Sequence, residues 1–167
     1  MPEYKMLVDG LTVSYEGLFE IKELYKLLED WFKENKYEKK ETLNQEIVKE
    51  DKKQLFLVLE PFKSVSDYHE YRLQIRIAAG DLKEVEVEKD GVKMRMQKGN
   101  VSVVINAFLV SDKEMRWAHR PLFFFMRVLI DKFIYKMYVD RFEAGLKNEI
   151  TNLHTTIKSF LNLYRYK

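Results

Sequence analysis

The feature that most constrains this chain is an alternation of apolar and polar side chains that continues, with interruptions, from residue 41 to residue 111. A two-residue period is typical of strands, because successive side chains of a strand point to opposite faces of a sheet. Polar or glycine-bearing turns divide the run. We therefore predict strands at 41–49, 54–61, 69–79, 82–88, 92–98 and 101–110.

The clearest pair of strands lies in KEVEVEKDGVKMRMQ, residues 83–97. Glutamates alternate with valines before the dipeptide Asp90-Gly91, and basic residues alternate with valine and methionine after it. An acidic row would then face a basic row across a tight turn. The pattern predicts a hairpin with one apolar face, which would hold Val85, Val87, Val92, Met94 and Met96.

A strand and a helix are predicted ahead of this block. Alternation at Leu11, Val13 and Tyr15 indicates the strand, and Asp9-Gly10 marks a hairpin or a bulge within it. In residues 18–37 the apolar side chains instead recur at spacings of three and four, which is typical of an amphipathic helix. That helix would bury Ile21, Leu24, Leu28, Trp31 and Phe32.

The helical period returns after residue 112 and continues to the end of the chain. Pro121 suits the first turn of a helix, and Asp140 with Glu143 has the form of a capping box. We therefore predict two helices, near 121–138 and 141–163. The second should lie along the sheet through an apolar stripe of Phe142, Leu146, Ile150, Leu153, Ile157, Phe160, Leu161 and Tyr164.

The first of these helices is unusually rich in phenylalanine. A membrane span is not expected, because charged residues interrupt it and each costs about 2.5 to 3.5 kcal/mol near a bilayer centre. Its apolar residues form two stripes, so both sides should be covered. The cover would be the sheet and another helix, or a bilayer surface, a second copy or a partner chain. The interaction surface in the second case would hold Arg116, Trp117, Arg120, Phe124, Val128 and Tyr135.

Composition and motifs bound the function. The 167 residues carry a net charge of +2 and no cysteine, which suggests a single domain and does not indicate a nucleic-acid binder or a thiolate metal site. No phosphate-binding loop or metal-ligating histidine pair is visible, so we expect no metal, cofactor or catalytic residue. Asp67 and His69 could form an acid/base pair, but a polar turn is the simpler interpretation. Without a signal-peptide stretch, we expect a cytoplasmic protein.

The order of predicted elements resembles the START-like helix-grip group, which includes polyketide-cyclase-like and lipid-transfer domains. The resemblance covers residues 7–163 and implies an α+β fold, in which a curved antiparallel sheet of about seven strands wraps a long C-terminal helix. The apolar helix at 121–138 would be an addition to that pattern. Segments such as EYKMLVDGLTVSYEGLF and SFLNLYRY also look like those of uncharacterised small archaeal proteins.

The same resemblance implies an apolar cavity between the sheet and the last helix. We therefore expect a non-catalytic binding module for a hydrophobic small molecule or lipid. The alternative is an interaction or scaffold protein that uses helix 121–138 to form a homodimer or to contact a membrane surface. The lining implied for the cavity is Val85, Val87, Met94 and Met96 from the strands, and Leu146, Ile150, Leu153 and Ile157 from the helix.

Overall fold

The computed structural model describes residues 2–111, 125, 129 and 135–165. They form an α+β fold in which one open, curved antiparallel sheet carries helices on one face. The elements in chain order are β1 (Glu3–Phe19), α1 (Ile21–Glu34), β2 (Glu41–Lys49), β3 (Lys52–Leu59), β4 (Phe62–Ser64), β5 (His69–Lys89), β6 (Val92–Ser111) and α2 (Tyr135–Arg165).

The described residues form a sheet of six strands, in the order β1-β6-β5-β3-β2 with β4 also paired to β5. Every pairing is antiparallel. The first strand therefore lies beside the last one, and β1 and β2 stand at the two ends of the strand order. This arrangement, with a long C-terminal helix, is compatible with the helix-grip topology.

The predicted count of seven strands is not confirmed, because two expected breaks do not end a strand among the described residues. Near Gly80 the chain of β5 makes a bulge before Lys83, with Asp81 at a φ of 52°. In β6 the strand continues through Gly99, where a Cβ atom would lie 2.7 Å from the carbonyl oxygen of Gly80. The glycines thus permit a close backbone approach between two long strands. The short strand β4 was not predicted.

The hairpin predicted around Asp90-Gly91 is confirmed. Glu86 lies opposite Arg95 and Glu88 lies opposite Lys93 in the strand register. Both turn residues have positive φ, 52° and 79°, as a type I′ turn requires. The predicted irregularity at Asp9-Gly10 is also confirmed, because the register of β1 shifts between Val8 and Leu11.

The core lies between one face of the sheet, here called the inner face, and the two helices. Odd-numbered residues of β5 from Tyr71 to Ala79, and of β6 from Val101 to Leu109, belong to this buried cluster. The apolar stripes predicted for both helices meet them there. Buried helix residues are Leu24, Leu28, Trp31 and Phe32 of α1 and Leu146, Ile150, Leu153, Ile157 and Leu161 of α2.

The predicted break between two C-terminal helices at residues 138–141 is wrong. Helix α2 runs without interruption from Tyr135 to Arg165. Asp140 is exposed inside it, and the carboxylate of Glu143 accepts a hydrogen bond from Lys5 Nζ over 2.6 Å. A capping box needs a chain that leaves the helix at its first residue, and no proline or glycine forces that here.

Most of the predicted helix 121–138 lies outside the described residues. Phe125 and Leu129 are helical and exposed, and residues 135–138 belong to α2. Among the described residues, no helix combines the length and the apolar character that crossing a membrane requires.

Candidate functional site

Among the described residues, a partly enclosed cleft lies between the start of α1 and the free end of the β5–β6 hairpin. Its volume is about 460 Å³, within the range of about 300–1,000 Å³ that is typical of small-molecule sites. We call it the hairpin cleft. Its apolar lining is Leu18, Val87, Met94 and Met96, its basic residues are Lys22, Lys89 and Arg95, and its acidic residues are Glu20 and Glu23.

The cleft exists because β1 ends before its neighbours do. The last paired residue of β1, Phe19, lies opposite Gln97, whereas the β5–β6 ribbon continues to its turn at Asp90-Gly91. Beyond Gln97 the ribbon therefore has no third strand among the described residues. Its apolar face is left beside the first turn of α1.

A side chain of the sheet fixes the position of that first turn. Gln97 Oε1 accepts a hydrogen bond from the backbone N–H of Ile21 over 3.1 Å. The residue at the N-cap position, Glu20, makes no side-chain capping hydrogen bond. The amide from β6 thus satisfies one of the N–H groups that a helix start leaves unpaired, and it holds Lys22 and Glu23 at the mouth of the cleft.

The chemistry of the cleft suits binding more than catalysis. Its floor is made of aliphatic and thioether side chains, which adapt their shape to an apolar ligand. Charged groups stand around this floor, where they can hold a polar head group. Among the described residues, no group of three or more histidine, aspartate or glutamate side chains could hold a metal ion.

The structure divides the eight predicted ligand residues between two places. Three of the four strand residues, Val87, Met94 and Met96, line the hairpin cleft. Val85 lies opposite Met96 and is half-buried beside them. The four helix residues are instead part of the core and are at most 1% exposed: Leu146, Ile150, Leu153 and Ile157.

Two-residue periodicity alone could not make this distinction, because it groups side chains by face without saying what covers that face. On β6 the methionines have even numbers, whereas the residues that contact the helices have odd numbers from Val101 onward. Met96 still packs against the edge of the core, whereas Met94 is not part of that cluster. Met94 is 45% exposed.

The predicted interaction surface lies outside the described residues, except for Tyr135. That residue lies in α2. Arg116, Trp117, Arg120, Phe124 and Val128 are not among the described residues, so their role stays a prediction.

A second apolar region, which sequence reasoning missed, lies on the face of the sheet opposite the helices, the outer face. There Leu43, Phe56, Val58 and Val104 surround a depression on neighbouring strands. Leu43 and Phe56 are 44% and 40% exposed. The signal was present, because Phe56 and Val58 alternate with the buried Leu57 and Leu59. We call this region the outer patch.

The acid/base pair proposed at Asp67 and His69 is not supported by exposure, since Asp67 is exposed and His69 is buried. The His69 ring lies 4.9 Å from the ring of Phe142, and its Nδ1 is 3.2 Å from Ser66 Oγ. These contacts place the histidine inside the packing of β5 against α2. An interior histidine with a packing role is the simpler interpretation.

Comparison of the chain with protein-family models, with curated proteins and with solved structures finds no match.

Proposed function

We propose that this chain is a non-catalytic binding protein for a hydrophobic small molecule or lipid, and that the ligand occupies the hairpin cleft. The observation that carries the proposal is the cleft itself, in which apolar side chains of three elements converge under a rim of charges. Sites for small molecules are typically apolar and contain a few polar groups that fix orientation. The basic residues Lys22, Lys89 and Arg95 would hold a carboxylate or phosphate head group.

This proposal moves the site away from the cavity that the helix-grip resemblance implied. A ligand between the sheet and α2 would have to displace Leu146, Ile150, Leu153 or Ile157, each of which is almost fully buried. Removing such contacts costs about 2–5 kcal/mol for each large aliphatic side chain. A ligand in the hairpin cleft displaces solvent instead. The relation to the START-like group is supported by the strand order and by the C-terminal helix, and it remains part of the proposal.

Titration of the protein with a fluorescent fatty acid tests the proposal. The variant Met94→Lys should raise the dissociation constant at least about tenfold, because it places a charge on the apolar floor. Leu43→Lys is the matched control, since Leu43 and Met94 are 44% and 45% exposed and both lie on strands. The control should bind like the unaltered protein.

Native mass spectrometry of the purified protein adds a second readout. A bound lipid that is lost from Met94→Lys and retained in Leu43→Lys would support the proposed site. Equal affinity of both variants for the fatty acid would show that the ligand binds elsewhere. The absence of any bound species in both experiments would contradict a lipid-binding function.

The outer patch favours a second candidate, an interaction or scaffold protein. Leu43, Phe56 and Val58 form an apolar group that no described element covers. Contiguous exposed apolar surface is typical of protein contact sites. The version of this candidate that uses helix 121–138 predicts dimers in light scattering, or co-sedimentation with liposomes. A monomer that does not co-sediment would exclude that version.

A further inference from the structure

The edge strand β2 is exposed along its whole length. All nine residues from Glu41 to Lys49 are exposed, and among the described residues β2 pairs with β3 alone. It contains neither proline nor glycine. An edge strand of this kind presents unpaired N–H and C=O groups, which form a template for another strand.

The sequence of β2 is complementary to itself in one antiparallel register. When Gln45 of one copy lies opposite Gln45 of another, Leu43 lies opposite Ile47 and Asn44 lies opposite Glu46, each twice. Apolar side chains then meet apolar ones on the outer face, and amides meet an amide or a carboxylate. Directly opposed pairs are the unit that stabilises a sheet.

Neighbouring registers are less favourable. A shift of one residue would place the outer face of one copy beside the inner face of the other. A shift of two residues toward the end of β2 sets Glu46 opposite Glu46, where like charges repel. A shift of two in the other direction sets Leu43 opposite Gln45. Only the register centred on Gln45 sets Leu43 opposite Ile47 and keeps Glu46 away from its counterpart in the second copy.

Two structural details define how far such pairing can extend. A register shift between Glu41 and Leu43 turns Glu41 toward α1, where its Oε2 accepts a hydrogen bond from Tyr25 over 2.8 Å. Pairing should therefore begin at Leu43. Within the paired segment, the carboxylate of Glu46 is already 3.3 Å from Lys53 Nζ of β3. This ion pair partly neutralises the charge that Glu46 would present to a second strand.

From this geometry we propose that two copies of the chain associate through β2, antiparallel and centred on Gln45. Their two sheets then form one continuous sheet with a twofold axis. The interface is isologous, because each copy contributes the same five-residue segment. The near-symmetry of β2 about Gln45 favours a second copy over an unrelated peptide, because pairing with an unrelated strand does not depend on that symmetry.

The outer patch strengthens the proposed contact. Leu43 belongs both to the patch and to the paired segment, and Ile47 lies on the same face, 40% exposed. Association would bring Leu43 and Ile47 of two copies together and would join the two patches. The area that becomes covered is then larger than the strand edge alone.

A single cysteine provides a direct test, because the chain has none of its own. Residues directly opposite in an antiparallel pair have Cα atoms about 4.5–5.5 Å apart, within disulfide range. Gln45→Cys should therefore give a disulfide-linked dimer under mild oxidation. Ile47→Cys is the control on the same strand. Its counterpart in the second copy lies four residues along, out of reach, so cross-linking should be largely lost.

Charge substitutions test the register without a cross-link. Leu43→Lys and Ile47→Glu should each weaken dimerisation about tenfold, measured by analytical ultracentrifugation, because each leaves two charges opposite apolar side chains. A mixture of the two variants should form heterodimers, in which one lysine faces one glutamate. The variant that carries both substitutions should recover dimerisation, since both pairs are then complementary.

The outcomes separate this inference from the proposed ligand function. A monomer at every accessible concentration would overturn the inference, and so would equal cross-linking of Gln45→Cys and Ile47→Cys. Met94→Lys should leave dimerisation unchanged while it weakens fatty-acid binding. A dimer whose stability depends on Met94 and not on Leu43 would contradict pairing through β2.

Discussion

The hydroxyl of Tyr37 donates a hydrogen bond of 2.6 Å to Glu149 Oε2, which lies 112 residues further along the chain. The other oxygen of the same carboxylate accepts a hydrogen bond from Lys63 Nζ, also over 2.6 Å. Lys63 in turn lies over the ring of Tyr37, 4.8 Å from its centroid. One carboxylate of α2 thus connects the segment after α1 with β4.

Replacing Glu149 should therefore cost more stability than replacing an ordinary surface carboxylate. Glu149→Ala leaves the Tyr37 hydroxyl and the Lys63 ammonium without their acceptor, and it should lower the free energy of unfolding by about 2–3 kcal/mol. Urea denaturation measures the change. The control is Glu143→Ala, which removes one hydrogen bond instead of two, to a Lys5 side chain that is 60% exposed, and its cost should stay below about 1 kcal/mol. Equal losses would show that the Glu149 contacts are ordinary surface ion pairs.

Two tyrosines near the Glu149 carboxylate, Tyr37 and Tyr71, predict a loss of stability at alkaline pH. Burial, together with the charge of Glu149, raises the pKa of Tyr71 to about 12. Burial and the hydrogen bond to Glu149 also raise the pKa of Tyr37. A tyrosine in the unfolded chain ionises near pH 10. The contribution of both groups is thus complete below about pH 10 and is lost as the pH rises through the folded-state pKa values.

Denaturation at a series of alkaline pH values checks this expectation. Tyr71→Phe should show a shallower decrease of stability between about pH 10 and 12, because its unfolded state has one tyrosine fewer to ionise. Tyr4→Phe is the control, since Tyr4 is 52% exposed. An identical slope for Tyr71→Phe and the unaltered protein would contradict burial of the Tyr71 hydroxyl.

Replacing Gly145, a glycine in α2, should change the free energy of unfolding in opposite directions, depending on whether residue 71 is tyrosine or phenylalanine. A Cβ atom at Gly145 would lie 2.8 Å from the hydroxyl oxygen of Tyr71 and 3.9 Å from its Cζ. That hydroxyl is held in place by its hydrogen bond to the carbonyl oxygen of Phe142, 2.7 Å away. Gly145→Ala should therefore destabilise the protein by about 1 kcal/mol, although alanine is the better helix former.

In the background Tyr71→Phe the clash is absent, because phenylalanine lacks the hydroxyl. There Gly145→Ala should stabilise the protein by about 0.5–1 kcal/mol, which is the usual gain in helix propensity. The four proteins of this cycle can be compared by urea denaturation. The same sign in both backgrounds would show that α2 shifts enough to accept the added methyl group.

Much of the architecture could be predicted because local periodicity records which side chains are buried. The positions of α1, of β2 and β3 and of the Asp90-Gly91 turn follow from such patterns. Strand ends were less predictable. Glycine is compatible both with a turn and with a close backbone approach, and only the contact between Gly99 and Gly80 distinguishes the two.

The candidate site was only partly predictable, because local periodicity does not record which element covers a face. Alternation identified Val87, Met94 and Met96 as one apolar face, but the neighbour of that face depends on where β1 ends and where α1 begins. Those are tertiary relations between distant residues. The polar cluster of Tyr37, Lys63 and Glu149 was missed for the same cause, since nothing in the local sequence brings these three residues together.

The last prediction concerns Gln97, which connects the fold to the candidate cleft. Its side chain satisfies the N–H of Ile21, as a helix cap does, although it comes from β6. Gln97→Leu should lower the free energy of unfolding by about 1 kcal/mol, the usual effect of losing a cap. Amide hydrogen exchange should become faster in the first turn of α1, because this turn would open without the rest of the helix.

The control is Gln54→Leu, because Gln54 is exposed on β3 and lies opposite Ile47. It should leave exchange in α1 unchanged. If Gln97→Leu and Gln54→Leu give the same exchange rates at Ile21 and Lys22, the amide does not fix the helix start. If only Gln97→Leu accelerates exchange and also weakens fatty-acid binding, the mouth of the hairpin cleft is held by this single hydrogen bond between the sheet and α1.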